Sequence, residues 1–276
     1  MIVTRFAPSP TGHLHLGHAY SALFAYDAAM GAGGAFLLRI EDIDPVRCRP
    51  EFIDDLKEDL HWLGLTWPEP VRRQSEYLDD YRAALEKLRE LGVVYPCFCT
   101  RREVAVEAQA SAHAPQGLEG PIYPGTCRVL PETERAERLA KETPNWRLDS
   151  AKAEELCGPL VWHDRVRGDV KADLTAFGDV VIALKDVPTS YHLSVTVDDH
   201  LQGITLVTRG EDLAAATGIH RYLQALLGFD APEYEHHRLL TDASGKRFAK
   251  RDKAMTLRAM RGEGRTPDEI RKICFT

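Results

Sequence analysis

Apolar and polar side chains alternate over Ile2-Val3-Thr4-Arg5-Phe6, the pattern of a short buried strand, and the Pro-containing turn from Ala7 to Gly12 cannot continue it. From His18 to Ala29 small and apolar residues (Ala19, Leu23, Phe24, Ala28) recur near helical spacing, and Gly31, Gly33 and Gly34 close that helix. Phe36 to Ile40 reads as a second strand. Strand, turn, helix and strand in this order predict a parallel sheet in an α/β fold. Two more helices are expected over Glu51 to Leu63 and Tyr77 to Leu91, the second ended by Gly92. The segment from Tyr95 to Cys127 breaks the pattern, because closely spaced cysteines flank a Gly/Pro/Ala-rich middle from Ala108 to Pro124, and it reads as an insertion. Strand-like runs resume at Val161, at Val180 to Leu184, at Leu193 to Val197 and at Ile204 to Val207. A helix over Ile219 to Leu227 is expected to finish the sheet, leaving Thr241 to Thr276 as a short polar stretch, basic in places.

At 276 residues, with 44% hydrophobic and 28% charged side chains, the chain fits one elaborated domain, or one domain with an insertion, better than two independent ones. Met1 to Phe6 carry no basic region followed by an apolar run, and no apolar stretch approaches the roughly 18 residues that span a bilayer, so a cytoplasmic protein with no membrane partner is expected. The formal charge of −7 argues against non-specific coating of nucleic acid, yet a basic patch on one face can still guide an RNA backbone, and no DNA partner is expected. Six cysteines in so long a chain, with Cys97, Cys99 and Cys127 near one another in sequence, point to a metal rather than a disulfide scaffold.

Chemistry concentrates first in Arg5-Phe6-Ala7-Pro8-Ser9-Pro10-Thr11-Gly12-His13-Leu14-His15-Leu16-Gly17-His18. A strand ends, a rigid turn leads to imidazoles, and a glycine allows phosphate to approach the backbone where a helix begins. Imidazole donors placed there can bind the phosphates of ATP and stabilise charge during adenylyl transfer, whereas a lone histidine in that position would more often only cap the helix. Over these fourteen residues the sequence resembles the glutamyl-tRNA synthetases and their relatives, in which the four-residue signature aligned with His15-Leu16-Gly17-His18 binds ATP. The resemblance implies a Rossmann-like nucleotide-binding catalytic domain, nucleotide contacts from His15, Gly17 and His18, and a glutamate site beginning with Arg5, Phe6, Ala7, Pro8 and Ser9.

Three further segments fit the same family. Arg39-Ile40-Glu41-Asp42-Ile43-Asp44 stands at the end of the second expected strand, where open parallel sheets bind ligands. By itself this acidic cluster suits a metal, an ammonium group or a solvated turn; the resemblance implies that Glu41 meets the α-ammonium of glutamate. A substrate with two carboxylates calls for guanidinium forks, and Arg5 and Arg209 are the natural pair. The resemblance sets Tyr191 against the amino acid and Arg209 on a carboxylate, with Asp198 and Asp199 shaping the site rather than moving protons. Gly245-Lys246-Arg247-Phe248-Ala249-Lys250-Arg251 is a basic loop that resembles the "KMSKS" loop in its glutamyl form, Lys-Leu-Ser-Lys-Arg. Arg247 replaces the first lysine and Ala249 the serine, so only Lys250, the expected catalytic lysine beside His15 and His18, and Arg251 carry over directly.

Cys97, Cys99, Tyr123 and Cys127 match the zinc ligands of the glutamyl-queuosine tRNA(Asp) synthetases, and three thiolates with one oxygen donor make a closed structural site. Cys48, Cys157 and Cys274 fall outside that pattern. The expectation is thus a catalytic domain in two halves, residues 1–96 and 161–235, around a zinc-binding insertion at 97–160, with the KMSKS-like loop in a C-terminal segment at 236–276 and no anticodon-binding domain. Such an enzyme activates glutamate with ATP without tRNA, needs magnesium for the triphosphate, and transfers glutamate to the queuosine base of tRNA(Asp), acting as a monomer. A truncated glutamyl-tRNA synthetase acting on tRNA(Glu) and a non-catalytic ligand-binding paralogue remain the alternatives.

Overall fold

The computed structural model describes residues 1–100, 102–104, 116–117, 120–240 and 256–276. The first unit is the expected one: β1 (Val3–Phe6), α1 (Leu16–Gly31) and β2 (Ala35–Ile40), with β1 and β2 parallel. Gly34 makes the return from α1 possible, since a Cβ there would stand 2.0 Å from the carbonyl oxygen of Ile2. The amphipathic α2 (Pro50–Trp62) starts with proline in its first turn, where no intrahelical partner for an N–H is needed, and buries Ile53, Leu56 and Leu60. It leads to β3 (Arg72–Arg73), parallel to β2. α3 (Leu78–Glu90) buries Tyr81, Ala84, Leu85 and Leu88 along one stripe.

The chain then leaves this sheet for β4 (Val94–Cys97), a two-residue pair β5 (Gln116–Gly117) and β6 (Gly120–Pro121), α4 (Glu132–Leu139), β7 (Asn145–Leu148) and α5 (Ser150–Cys157). β4 and β7 form a small antiparallel sheet that is completed by β10 (Val181–Ala183). Residues 105–115, which hold much of the Gly/Pro/Ala-rich stretch, lie outside the described residues. The hairpin of β8 (Val161–Asp164) and β9 (Gly168–Lys171) comes before β10. β11 (Leu206–Gly210), α7 (Thr217–Leu227) and β12 (Glu233–His237) then make a second parallel unit, with β8 on the far side of β12.

β11 lies against β1, where the Thr205 amide donates to the Val3 carbonyl at 3.0 Å. The strands therefore stand in the order β3, β2, β1, β11, β12, β8, parallel within each set of three, and the direction in which the chain adds strands reverses between β1 and β11. A reversal of this kind opens a crevice at the carboxyl ends of the strands.

Two expectations fail here. Leu193 to Val197 is not a strand but the middle of α6 (Tyr191–Leu201). Every residue from His192 to Asp199 is buried, so the helix shows no amphipathic stripe, and its β-branched residues imitate a strand. Ser194 and Thr196 return their hydroxyls to the carbonyls of Ser190 and His192, which satisfies them within the helix. The sheet also continues past Leu227 with β12, and residues 256–276 of the polar C-terminal stretch pack as helices. α8 (Leu257–Gly262) and α9 (Pro267–Phe275), the latter opened by a Thr266–Glu269 capping box, bury Leu257, Met260, Ile270 and Cys274 against α1 and α2.

Candidate active site

The carboxyl ends of β1, β2 and β11 surround a cavity of about 630 Å³. Its wall contains Arg5, Phe6, Ala7, Pro8, Ser9, His15, Gly17, His18, Glu41, Tyr191 and Arg209, so each amino-acid and nucleotide residue expected from the sequence and described in the structure faces one space. Ser9, Glu41 and Tyr191 also border a smaller adjoining cavity of about 220 Å³ with Asp44, Cys48 and Gln74. Lys250 and Arg251 lie outside the described residues. On either side of them, Leu240 lines the main cavity and Thr256 forms a β-bridge with His15.

Imidazoles build the entrance to α1. His15 is the N-cap, and its Nδ1 accepts the Gly17 amide at 3.1 Å, while Nδ1 of His18 accepts the His15 amide at 3.2 Å. A neutral imidazole that accepts at Nδ1 carries its proton on Nε2, so the cap fixes the tautomer of both rings. A Cβ on residue 17 would stand 3.0 Å from Cε1 of His15, which is why glycine suits this turn.

Beneath the cavity floor, three guanidinium groups meet three carboxylates. Arg39, fully buried, reaches Asp199 at 2.8 Å, Glu41 at 3.2 Å and Asp198 at 3.6 Å. Arg5 forks onto Asp199 at 2.9 and 3.3 Å and donates to the Thr208 carbonyl at 3.2 Å. Asp198 is further held by Arg72 (2.8 Å), Gln74 (2.8 Å) and the Tyr81 hydroxyl (3.0 Å). Burial alone would raise the Asp199 carboxyl, but Arg5 and Arg39 outweigh it and hold it below the ordinary range. For Glu41 burial wins against Arg39 and Arg5, and its carboxyl is pushed up.

Arg209 is different. It is buried, and its Nη2 donates to Thr217 Oγ1 at 2.6 Å, its Nη1 to His220 Nδ1 at 3.1 Å and its Nε to His236 Nε2 at 3.3 Å, with the Tyr191 hydroxyl at 3.5 Å. All of these acceptors are neutral, and among the described residues no carboxylate lies within ion-pair reach of Arg209. His220 in turn contacts His192 at 3.2 Å. Burial, reinforced by the charge of Arg209, holds His192 near 4 and His220 well below its ordinary value; burial likewise brings His236 down to about 4 despite its hydrogen bond to Asp164. The Thr208 hydroxyl, also buried, has no hydrogen-bond partner among the described residues. The two arginines grouped as forks in the sequence thus differ: the charge of Arg5 is neutralised by Asp199, and that of Arg209 meets no carboxylate among the described residues.

The four expected metal donors also come together. The sulfurs of Cys97, Cys99 and Cys127 lie within 4.8 Å of one another, and the Tyr123 hydroxyl is 3.4 Å from the Cys99 sulfur. Tetrahedral zinc with sulfur at about 2.3 Å sets its ligands some 3.8 Å apart, so this donor set suits that ion. The cluster sits in its own small core with Tyr95, sealed by Arg147, whose guanidinium covers the Tyr123 ring at 3.9 Å.

Sequence reasoning did not reach Arg39 as the central cation or the histidines and Asp164 around Arg209. A buried arginine on a strand carries no local signature, and His192, His220 and His236 are scattered over α6, α7 and β12.

Residues 1–275 match the family model described as tRNA synthetases class I (E and Q), catalytic domain. A protein of Rhodobacter capsulatus called glutamyl-Q tRNA(Asp) synthetase is 49% identical over 278 aligned positions, covering 99% of either chain. One of the same name from Nocardia farcinica is 42% identical, covering 96% of this chain and 81% of its own. The crystal structure of a glutamate tRNA ligase from Elizabethkingia meningosepticum in complex with its amino acid superposes with a TM-score of 0.76 at 31% identity, covering 91% of this chain and 52% of that one. Among the described residues no helix is long and apolar enough to cross a membrane.

The neutral histidines make stability depend on pH in a defined direction. His192 and His236 titrate near 4 in the folded chain and, like other histidines, near about 6.5 when unfolded, so the unfolded chain binds more protons between those values. Their contribution is complete above pH about 6.5 and is lost as pH falls toward 4, at up to about 1.4 kcal/mol per pH unit for each histidine. Thermal melts should show a lower melting temperature at pH 5.5 than at pH 7.5; equal values would contradict the neutral, buried state.

Proposed function

The chain belongs to the class I tRNA synthetase family of the E and Q type, and from that premise we propose that it activates glutamate with ATP, independently of tRNA, and transfers it to the queuosine base in the anticodon loop of tRNA(Asp). The observation that carries the activation step is the shared cavity in which Arg209, a buried cation without an acidic partner among the described residues, faces Glu41, Arg5 and the paired imidazoles. The acceptor is supported by the names of the similar proteins of R. capsulatus and N. farcinica.

In this reading a glutamate carboxylate neutralises Arg209. The α-ammonium lies against Glu41, whose raised carboxyl gains from the added positive charge. Arg5 keeps two N–H groups beyond those given to Asp199 and Thr208 for the second carboxylate, and Tyr191 packs beside the substrate. The α-carboxylate attacks the α-phosphorus of ATP, the bond to the β-phosphate oxygen breaks, and pyrophosphate leaves. His15 and His18, protonated on Nε2, donate to the phosphates, and Lys250 and Arg251 neutralise the leaving pyrophosphate. Magnesium bound with ATP would screen the triphosphate charge. A hydroxyl of the cyclopentene diol then attacks the mixed anhydride, forming the ester and releasing AMP. No side chain forms a covalent intermediate, so rate enhancement comes from positioning and charge stabilisation. Cys97, Cys99, Tyr123 and Cys127 would hold a structural zinc, which closes the insertion as a cross-link and takes no part in the reaction.

Two measurements test these assignments. Labelled glutamate, ATP and unfractionated tRNA are incubated with the protein, and the charged tRNA is digested and analysed by mass spectrometry. Glutamate is expected on the queuosine nucleoside of tRNA(Asp), and prior periodate treatment of the tRNA should abolish it; glutamate on the terminal adenosine of tRNA(Glu) contradicts the acceptor. Elemental analysis should find stoichiometric zinc that is lost in Cys127→Ser, and a zinc-free native chain contradicts the metal assignment.

A further inference from the structure

Three adjacent strands set Asp164 (β8), His236 (β12) and Arg209 (β11) in a row beneath the cavity. Nδ1 of His236 is 2.7 Å from Asp164 Oδ2, and Nε2 of the same ring is 3.3 Å from Arg209 Nε. The direction of this chain of hydrogen bonds is forced. A guanidinium nitrogen can only donate, so Nε2 must accept, the ring proton must sit on Nδ1, and an ionised carboxylate must receive it. The other oxygen of Asp164 is taken by the Val166 and Arg167 amides at 2.9 and 3.0 Å, which fixes the carboxylate in place. Both side chains are closed to solvent, and the edge of Trp162 meets the His236 ring at 5.5 Å between centroids.

We infer that Asp164 and His236 are positioning residues for the amino-acid site: Asp164 locks His236 in its Nδ1–H tautomer, and the acceptor thus presented holds the Arg209 guanidinium at the angle that meets a substrate carboxylate. This rests on the reading of Arg209 as a glutamate contact. Neither residue touches the cavity wall, so neither contacts substrate. The arrangement explains how a buried cation keeps its orientation with no ion-pair partner among the described residues: a neutral imidazole directs it and leaves its charge for the ligand. A carboxylate in direct contact would direct Arg209 equally well but would neutralise it, as Asp199 neutralises Arg5.

The test uses glutamate-dependent ATP–pyrophosphate exchange by the whole chain. In Asp164→Asn the near-isosteric amide still serves the Val166 and Arg167 amides, but its NH₂ faces Nδ1, drives the ring proton to Nε2 and sets a donor against Arg209 Nε. The KM for glutamate should rise roughly tenfold, the loss expected for a hydrogen bond to a charged group, while KM for ATP and kcat stay within about twofold. His236→Gln can offer an amide oxygen to Arg209 and should recover part of the loss, whereas His236→Phe should not. A purely structural role would move both KM values or neither. Long-range ¹H–¹⁵N correlation of the imidazoles, with His236 assigned by its disappearance in His236→Gln, should show Nδ1–H in the wild type and Nε2–H in Asp164→Asn. An unchanged glutamate KM in Asp164→Asn, or an Nε2–H tautomer in the wild type, would overturn the inference. A wild-type chain with no glutamate-dependent exchange would remove the functional reading instead, and the tautomer would still decide whether the relay exists.

Discussion

Arg5, Arg39 and Arg72 share a water-poor space with Glu41, Asp198 and Asp199, with Asp80 pairing Arg72 at the solvent edge, and the rest of the site is arranged around that network of opposite charges. The six side chains come from β1, β2, β3, the turn after β2, and α6, so the first half of the parallel sheet and α6 are joined by one set of charges, and Arg5 extends it to β11 through the Thr208 carbonyl. Such a cluster resists partial dismantling, because removing one partner leaves the others buried and uncompensated at a cost of about 3–5 kcal/mol. That constraint fixes where Glu41 and Tyr191 stand relative to β1, before any ligand arrives.

Against this neutralised floor, Arg209 is the exception that gives the cavity its chemistry. Its neighbours are hydroxyls and imidazoles held neutral by burial, and they orient the guanidinium without cancelling its charge. A buried cation with no acidic partner among the described residues weakens the fold, and in the proposed function the ligand would supply the missing anion. The same division of labour appears at the start of α1, where two imidazoles meet the orphan amides of the helix through Nδ1 and thereby present protonated Nε2 atoms. In both places a hydrogen bond on one side of a ring decides what its other side can do.

Much of this was legible in the chain itself. The turn from Ala7 to Gly12, the histidines at 15 and 18 and the glycines after α1 are local signals, and strand, turn, helix and strand followed from them. The cysteines and Tyr123 were found from spacing and resemblance, and the structure brings their donor atoms together. The elements misread were those governed by tertiary context. α6 is buried from His192 to Asp199, so it lacks helical periodicity, and its consecutive Asp198 and Asp199 share Arg39 and add Arg72 and Arg5 respectively, a pairing with no trace in the local sequence. Asp164, His236 and Arg209 are remote from one another along the chain and meet only because β8, β12 and β11 are neighbours in the sheet.

In the proposed function an oriented guanidinium at residue 209, with no acidic partner among the described residues, holds an amino-acid carboxylate in a cavity already formed without tRNA. Calorimetric titration of glutamate into the tRNA-free protein, alongside Arg209→Met, tests it most directly. Saturable binding to the wild type and none to Arg209→Met is expected, with the variant melting at or above the wild-type temperature because a buried charge without an acidic partner among the described residues has been replaced by an apolar side chain of similar length. Equal binding by the two proteins, or a wild type that takes up glutamate only once tRNA is added, would contradict it.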